Sequence, residues 1–112
     1  MSQLTTHILD TSKGKPAGNV SVTLFYETDN DWNMLAKGIT NQDGRIPGFI
    51  PNEKLLEYGN YKLLFETNPY FKSQGISSFY PFVEIVFSIH SSEHYHVPLL
   101  LNPFGYSTYR GS

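Results

Sequence analysis

Nearly all the polar chemistry that invites explanation lies in three short places. His7 lies in "TTHILD", Arg45 follows an Asp-Gly pair in "QDGRIPG", and His94 and His96 stand two apart in "HYHVPLLL". A neutral imidazole near pH 7 can take a proton from water, because its unperturbed pKa lies near 6.5. A guanidinium offers several planar hydrogen-bond donors to an electron-rich group. Two histidines at i, i+2 on a strand point the same way, a spacing that suits two ligands of one zinc ion. Such a site needs a third ligand, and the other reading of the pair is two imidazoles on a sheet face. The same holds for Arg45, which a tight Asp-Gly turn can leave in solvent. The closing "YSTYRGS" is either a frayed end or a docked tail, one that would supply a phenol, a guanidinium, a hydroxyl and a carboxylate.

The elements that must carry these groups read as strands. The chain has 112 residues, 39% hydrophobic and 15% aromatic, which fits one packed domain over residues 1–112. Eight tyrosines and eight phenylalanines suit a pleated, half-buried surface. Strand-like runs are "LTTHILD", "VSVTLFYE", "MLAKGIT", "YKLLFET", "FVEIVFSI", "HYHVPLLL" and "YSTY". Stretches rich in Gly, Pro, Asn and Asp separate them, among them "SKGKPAGN", "ETDNDW" and "TNQDGRIPG". About eight short strands at this spacing describe an all-β sandwich or small barrel. A short helix is expected at "NPYFKSQG", with Asn68 as cap, Pro69 in the first turn and Gly75 at the end.

Alternation divides the two histidine strands into faces. Thr5, His7 and Leu9 oppose Thr6 and Ile8; His94, His96, Pro98 and Leu100 oppose Tyr95, Val97, Leu99 and Leu101. Pro98 cannot donate to a ladder, so it marks an edge or a break in pairing. The mixed face suits a subunit interface as well as open solvent.

Composition excludes several classes. A net charge of -2 with scattered basic residues provides no stripe for a nucleic-acid backbone. No apolar run is long enough to span a membrane as a helix. With no cysteine there is no disulfide framework and no thiolate nucleophile. The first ten residues lack a basic-then-apolar leader, so the expected location is cytoplasmic.

Taken in order, "LTTHILDTSKGKPA" (4–17), "TNQDGRI" (40–46) and "HYHVPLLLNPFGYSTYRGS" (94–112) resemble the 5-hydroxyisourate hydrolases, the purine-catabolic branch of the transthyretin-like proteins. "YFKSQGISSFYPFVEIVFSI" (70–89) is similar to the helix and following strand of that fold. The resemblance implies a transthyretin-like sandwich of two four-stranded sheets with one short helix. It further implies a homotetramer, a dimer of dimers, with active sites in a channel between dimers. The implied reaction, in urate degradation, opens 5-hydroxyisourate hydrolytically to 2-oxo-4-hydroxy-4-carboxy-5-ureidoimidazoline, without cofactor or metal. By motif match, His7, Arg45, His96 and Ser112 take catalytic positions, while His7, Arg45 and Tyr109 contact substrate. His94 matches no catalytic position. The alternative is a carrier of small aromatic ligands in the same channel, but the carrier branch lacks the histidine–arginine–histidine set and the terminal tetrapeptide.

Overall fold

A computed structural model describes residues 2–112. It contains eight strands and one helix among the described residues: β1 (Leu4–Asp10), β2 (Lys15–Pro16), β3 (Ser21–Thr28), β4 (Asp31–Ile39), β5 (Gly59–Phe65), α1 (Thr67–Lys72), β6 (Val83–Ile89), β7 (Tyr95–Asn102) and β8 (Gly105–Thr108). They form two four-stranded sheets, ordered β2-β1-β7-β8 and β4-β3-β5-β6. The sandwich of two four-stranded sheets with one short helix matches the expectation.

Alternation sends one side of each strand into the space between the sheets. Leu4, Thr6, Ile8 and Asp10 of β1 are buried, as are Tyr95, Val97, Leu99 and Leu101 of β7. Tyr61, Leu63 and Phe65 of β5 close the core from the other sheet. The polar inward groups are satisfied: Thr6 donates to the Val97 carbonyl at 2.7 Å. Asp10 accepts from the hydroxyls of Ser12 and Tyr70. Burial pushes the Asp10 carboxyl up, but those hydroxyls and the Ser12 and Lys13 amides outweigh it and hold the group below its usual range.

Three local expectations shift. Residues 29 and 30 alone form the β3–β4 hairpin loop, with Asp29 at φ 51 and Asn30 at φ 66, the left-handed pair a two-residue turn requires. Strand pairing therefore reaches Thr28 and Asp31, inside the stretch read as turn. Lys15–Pro16 pairs with β1 as a short strand within the expected loop. The helix starts at Thr67 after Glu66, while the Asn68 side chain accepts from the Ser78 hydroxyl at 2.9 Å instead of capping. Gly75, at φ 71, follows its end as expected.

Pro98 lies in a central strand, between β1 and β8. It marks a break in pairing, the second of the two readings above. The β7–β8 ladder runs from Asn102 to Leu99 and stops where Pro98 lacks an N–H. The Thr108 hydroxyl takes the Pro98 carbonyl at 2.7 Å, and pairing resumes in the same register as a bridge between His96 and Gly111.

Candidate active site

The parallel pairing of β1 with β7 assembles the site. It sets Thr5 beside His96 and His7 beside Pro98, all on the face turned away from the core. Two segments distant in sequence thus bring two imidazoles onto adjacent strands.

Arg45 arrives on a loop folded around Asn41. The Asn41 side-chain oxygen accepts the amides of Asp43 (2.9 Å) and Arg45 (3.1 Å), and the Asn41 amide donates to the Arg45 carbonyl at 2.8 Å. The loop is latched to β1 by the Ile8 amide on the Gly44 carbonyl at 3.0 Å and by a bridge between His7 and Arg45. Gly44 has φ +73, and a Cβ there would lie 2.4 Å from the Ile8 carbonyl oxygen. Only glycine permits that turn and that approach together. Asn41, which sequence reasoning missed, was legible as an Asx-turn former two residues before Asp43.

The closing residues dock on their own chain. The Gly111 amide donates to the His96 carbonyl at 2.7 Å. Arg110 lies over the Tyr95 ring at 4.1 Å and donates to Glu93 at 2.9 Å. A Cβ on Gly111 would meet His96 Cδ2 at 2.6 Å, so the tail passes in close contact with that ring. Ser112 follows directly and is exposed. Tyr109 lines a separate groove of about 490 Å³ with Val86, His90, Tyr95 and Arg110, and is not brought to His7 or His96 within the chain.

The electrostatics bind His7, Arg45 and His96 into one group. Burial first, and then the Arg45 guanidinium, lower the pKa of His7; the Asp43 backbone and carboxylate oppose this more weakly. Burial lowers His96 too, followed by the charge of Arg45 and the neighbouring His94 and His7. Both imidazoles are therefore held neutral at pH 7, the form that accepts a proton. Arg45, exposed, borders a cavity of about 320 Å³ with Thr5, Asn41, Asp43 and Ile46. His94 Nε2 and His96 Nδ1 do not converge on open space for an ion; both contact the Thr5 hydroxyl, at 2.9 and 2.8 Å. No group of three His, Cys, Asp or Glu side chains suited to a metal occurs among the described residues.

A β-sandwich carrying neutral histidines and an exposed guanidinium on one outer sheet face defines a small domain equipped to accept a proton and to hold an electron-rich polar group. The chain belongs to the HIUase/Transthyretin family, whose family model matches residues 4–111. It is 49% identical over 110 residues to the 5-hydroxyisourate hydrolase of Salmonella typhimurium, covering 97% of this chain and 80% of that protein. It superposes on the 5-hydroxyisourate hydrolase structure of Klebsiella pneumoniae with a TM-score of 0.85 and 43% identity, covering 100% and 94% of the two chains. Against transthyretin from Sparus aurata the TM-score is 0.92 at 34% identity, covering 99% and 97%.

Proposed function

We propose that this chain, acting as one domain over residues 1–112, is a 5-hydroxyisourate hydrolase that opens its substrate's ring with water, without a cofactor. The carrying observation is the cluster of His7, Arg45 and His96 on one outer face, in a chain so similar to named hydrolases. Water adds to a ring carbonyl, and the adjacent C–N bond breaks. A depressed pKa keeps each histidine ready to take the proton of the attacking water. Arg45 binds the substrate's oxygens and stabilises the charge that develops on the attacked carbonyl. Ser112 lies one residue beyond the Gly111–His96 bridge, and its catalytic place rests on the resemblance. A substrate contact by Tyr109 rests on the resemblance alone, its ring lining the groove beside β6.

The histidine face is open in the single chain, and assembly as a dimer of dimers would close it into a channel. Exposed Val86 on β6 and Phe104 and Tyr106 near β8 supply apolar surface for such contacts. Sedimentation analysis at micromolar concentration checks for a tetramer. No helix among the described residues is long and apolar enough to cross a membrane. A cytoplasmic location belongs to the same proposal, and imaging of the chain with an N-terminal label tests it.

The deciding assay follows the ultraviolet absorbance of freshly generated 5-hydroxyisourate. Purified chain at micromolar concentration accelerates its loss over buffer; an unchanged decay rate rejects the reading. The carrier alternative draws on the likeness to transthyretin in fold. It requires tight binding of a small aromatic ligand that survives His7→Ala and His96→Ala.

A further inference from the structure

One hydroxyl joins two imidazoles on the outer face of the first sheet. Thr5 Oγ1 lies 2.8 Å from His96 Nδ1 and 2.9 Å from His94 Nε2, and the rings are 6.3 Å apart at 20°. A hydroxyl has one proton to donate and lone pairs with which to accept. It can donate to only one of the two nitrogens, so the other nitrogen must be N–H. Two arrangements of neutral rings satisfy both contacts. In one, His96 carries its proton on Nδ1 and donates to Thr5, which donates to His94. In the other the chain runs backwards and the His96 proton sits on Nε2.

The two arrangements differ at the atom that would meet water. The first leaves the Nε2 lone pair of His96 free, and the second occupies it with a proton. Resting on the hydrolase reading, the geometry points to Thr5 and His94 as positioning residues: a hydrogen-bonded chain that holds His96 as the Nδ1–H base and drains its proton to His94. Water oxygen bonds to the substrate carbonyl carbon as one water proton passes to His96 Nε2 and the carbonyl π pair moves onto oxygen. The Nδ1 proton then moves to Thr5 Oγ1 while the Thr5 proton moves to His94 Nε2. His96 is left neutral as the Nε2–H form, and His94 is the imidazolium. When the C–N bond breaks, Nε2–H protonates the departing nitrogen and the chain runs back. One proton has left water and one has reached nitrogen, with none gained or lost by the protein.

The surroundings favour this direction. An imidazolium on His96 shares its cluster with Arg45 and His7. His94 instead borders a different open groove, of about 250 Å³, which contains Glu53 and Lys54. The Arg110–Glu93 pair flanks it, Arg110 reaching the His94 carbonyl at 3.3 Å. Transfer along Thr5 therefore moves the charge away from the Arg45 cluster.

Two measurements test the chain. Long-range proton–nitrogen spectra of the imidazoles, taken above their titration range, show His96 as the Nδ1–H tautomer, and Thr5→Val moves it toward Nε2–H. A native His96 in the Nε2–H form, or a tautomer unmoved by Thr5→Val, overturns the inference whether or not the chain hydrolyses anything. In steady-state assays with 5-hydroxyisourate, Thr5→Val and His94→Phe each lower kcat by about 10–100-fold, as expected when a partner that fixes a histidine tautomer is removed. KM stays within about twofold in both, and Thr5→Ser recovers most of the lost kcat because it restores the hydroxyl. Native kcat in both variants overturns the inference while the hydrolase reading stands. An inactive native chain sinks the hydrolase reading, and the tautomer result then decides the hydrogen-bonded chain alone.

Discussion

The two sheets treat their outward-facing cations in opposite ways. On the β4-β3-β5-β6 sheet, Lys62 lies 3.1 Å from a Glu84 carboxylate oxygen and over the rings of Phe25 and Trp32, at 5.1 and 4.9 Å. Asn60 donates to Glu27 and accepts from Ser88 on the same surface. These polar groups answer one another. On the other sheet, Arg45, His7 and His96 gather without an ion pair among the described residues. The Asp43 carboxylate is the weakest of the four influences on His7. A cluster whose guanidinium is not ion-paired, and whose nearby carboxylate acts only weakly, keeps its histidines neutral and its guanidinium available to an incoming ligand. One face stabilises the sandwich; the other is left free to react.

Removing the bases breaks this contrast most severely. His96→Ala and His7→Ala are each expected to lower kcat/KM by roughly 10²–10⁴-fold, the usual worth of a positioned proton acceptor. Circular dichroism and the unfolding midpoint should stay near native, since both side chains lie outside the core. An active double variant would end the idea that this face does chemistry.

Arg45→Gln comes next. Loss of one charged donor to the developing oxyanion costs about 3 kcal/mol, or roughly 10²-fold in kcat. It also sharpens the electrostatic claim through pH. The native histidines titrate below 6.5, so activity persists below that pH and disappears as pH falls through the depressed values. With the guanidinium gone, both pKa values rise and the acid limb moves to higher pH. Folding follows the same sign: the histidines' contribution to stability is present above 6.5 and lost as pH falls through the folded values. An acid limb unmoved in Arg45→Gln would show that Arg45 does not hold the imidazoles neutral.

Much of this was legible in the residues themselves. The alternation in "HYHVPLLL" sets His96 on the mixed face opposite the apolar one, and Pro98 announces an edge or an interruption in the ladder, while "LTTHILD" separates His7 from Ile8 without saying which side faces out. The juxtaposition was not legible from pattern alone. Parallel pairing joins Thr5 to His96 across nearly the whole chain, and no local signal encodes which distant strand is a neighbour. Only the resemblance implied that these places meet. His94 went unassigned for the same reason: its partner is Thr5, and the bond exists only once that register is set. The hairpin bounds were misjudged because a turn of two left-handed residues leaves Asp31 and Trp32 free to pair.

The two glycines beside the histidines allow a finer cut between shape and stability. Alanine at Gly111 would place its Cβ 2.6 Å from a ring atom of His96, on a ring already tied to Thr5. The ring must shift, so turnover falls while stability changes by no more than about 1 kcal/mol. Alanine at Gly44 meets the Ile8 backbone carbonyl at φ +73, where nothing can yield. A loss of about 1–3 kcal/mol in urea unfolding is expected there. Equal stability losses at the two sites would erase the distinction between a glycine that makes room for a ring and one that makes a turn.

The smallest effect should come from the paired face. Lys62→Met keeps an apolar stem of similar length against Phe25 and Trp32 while deleting the charge. Glu84, whose side chain is 41% exposed, regains water when its partner is lost. The exchange should therefore cost no more than about 1 kcal/mol in urea unfolding, less at high salt, with native hydrolysis rates. A marked fall in turnover would mean that the paired sheet acts on the histidine face through the shared core, and the two surfaces could no longer be treated as independent.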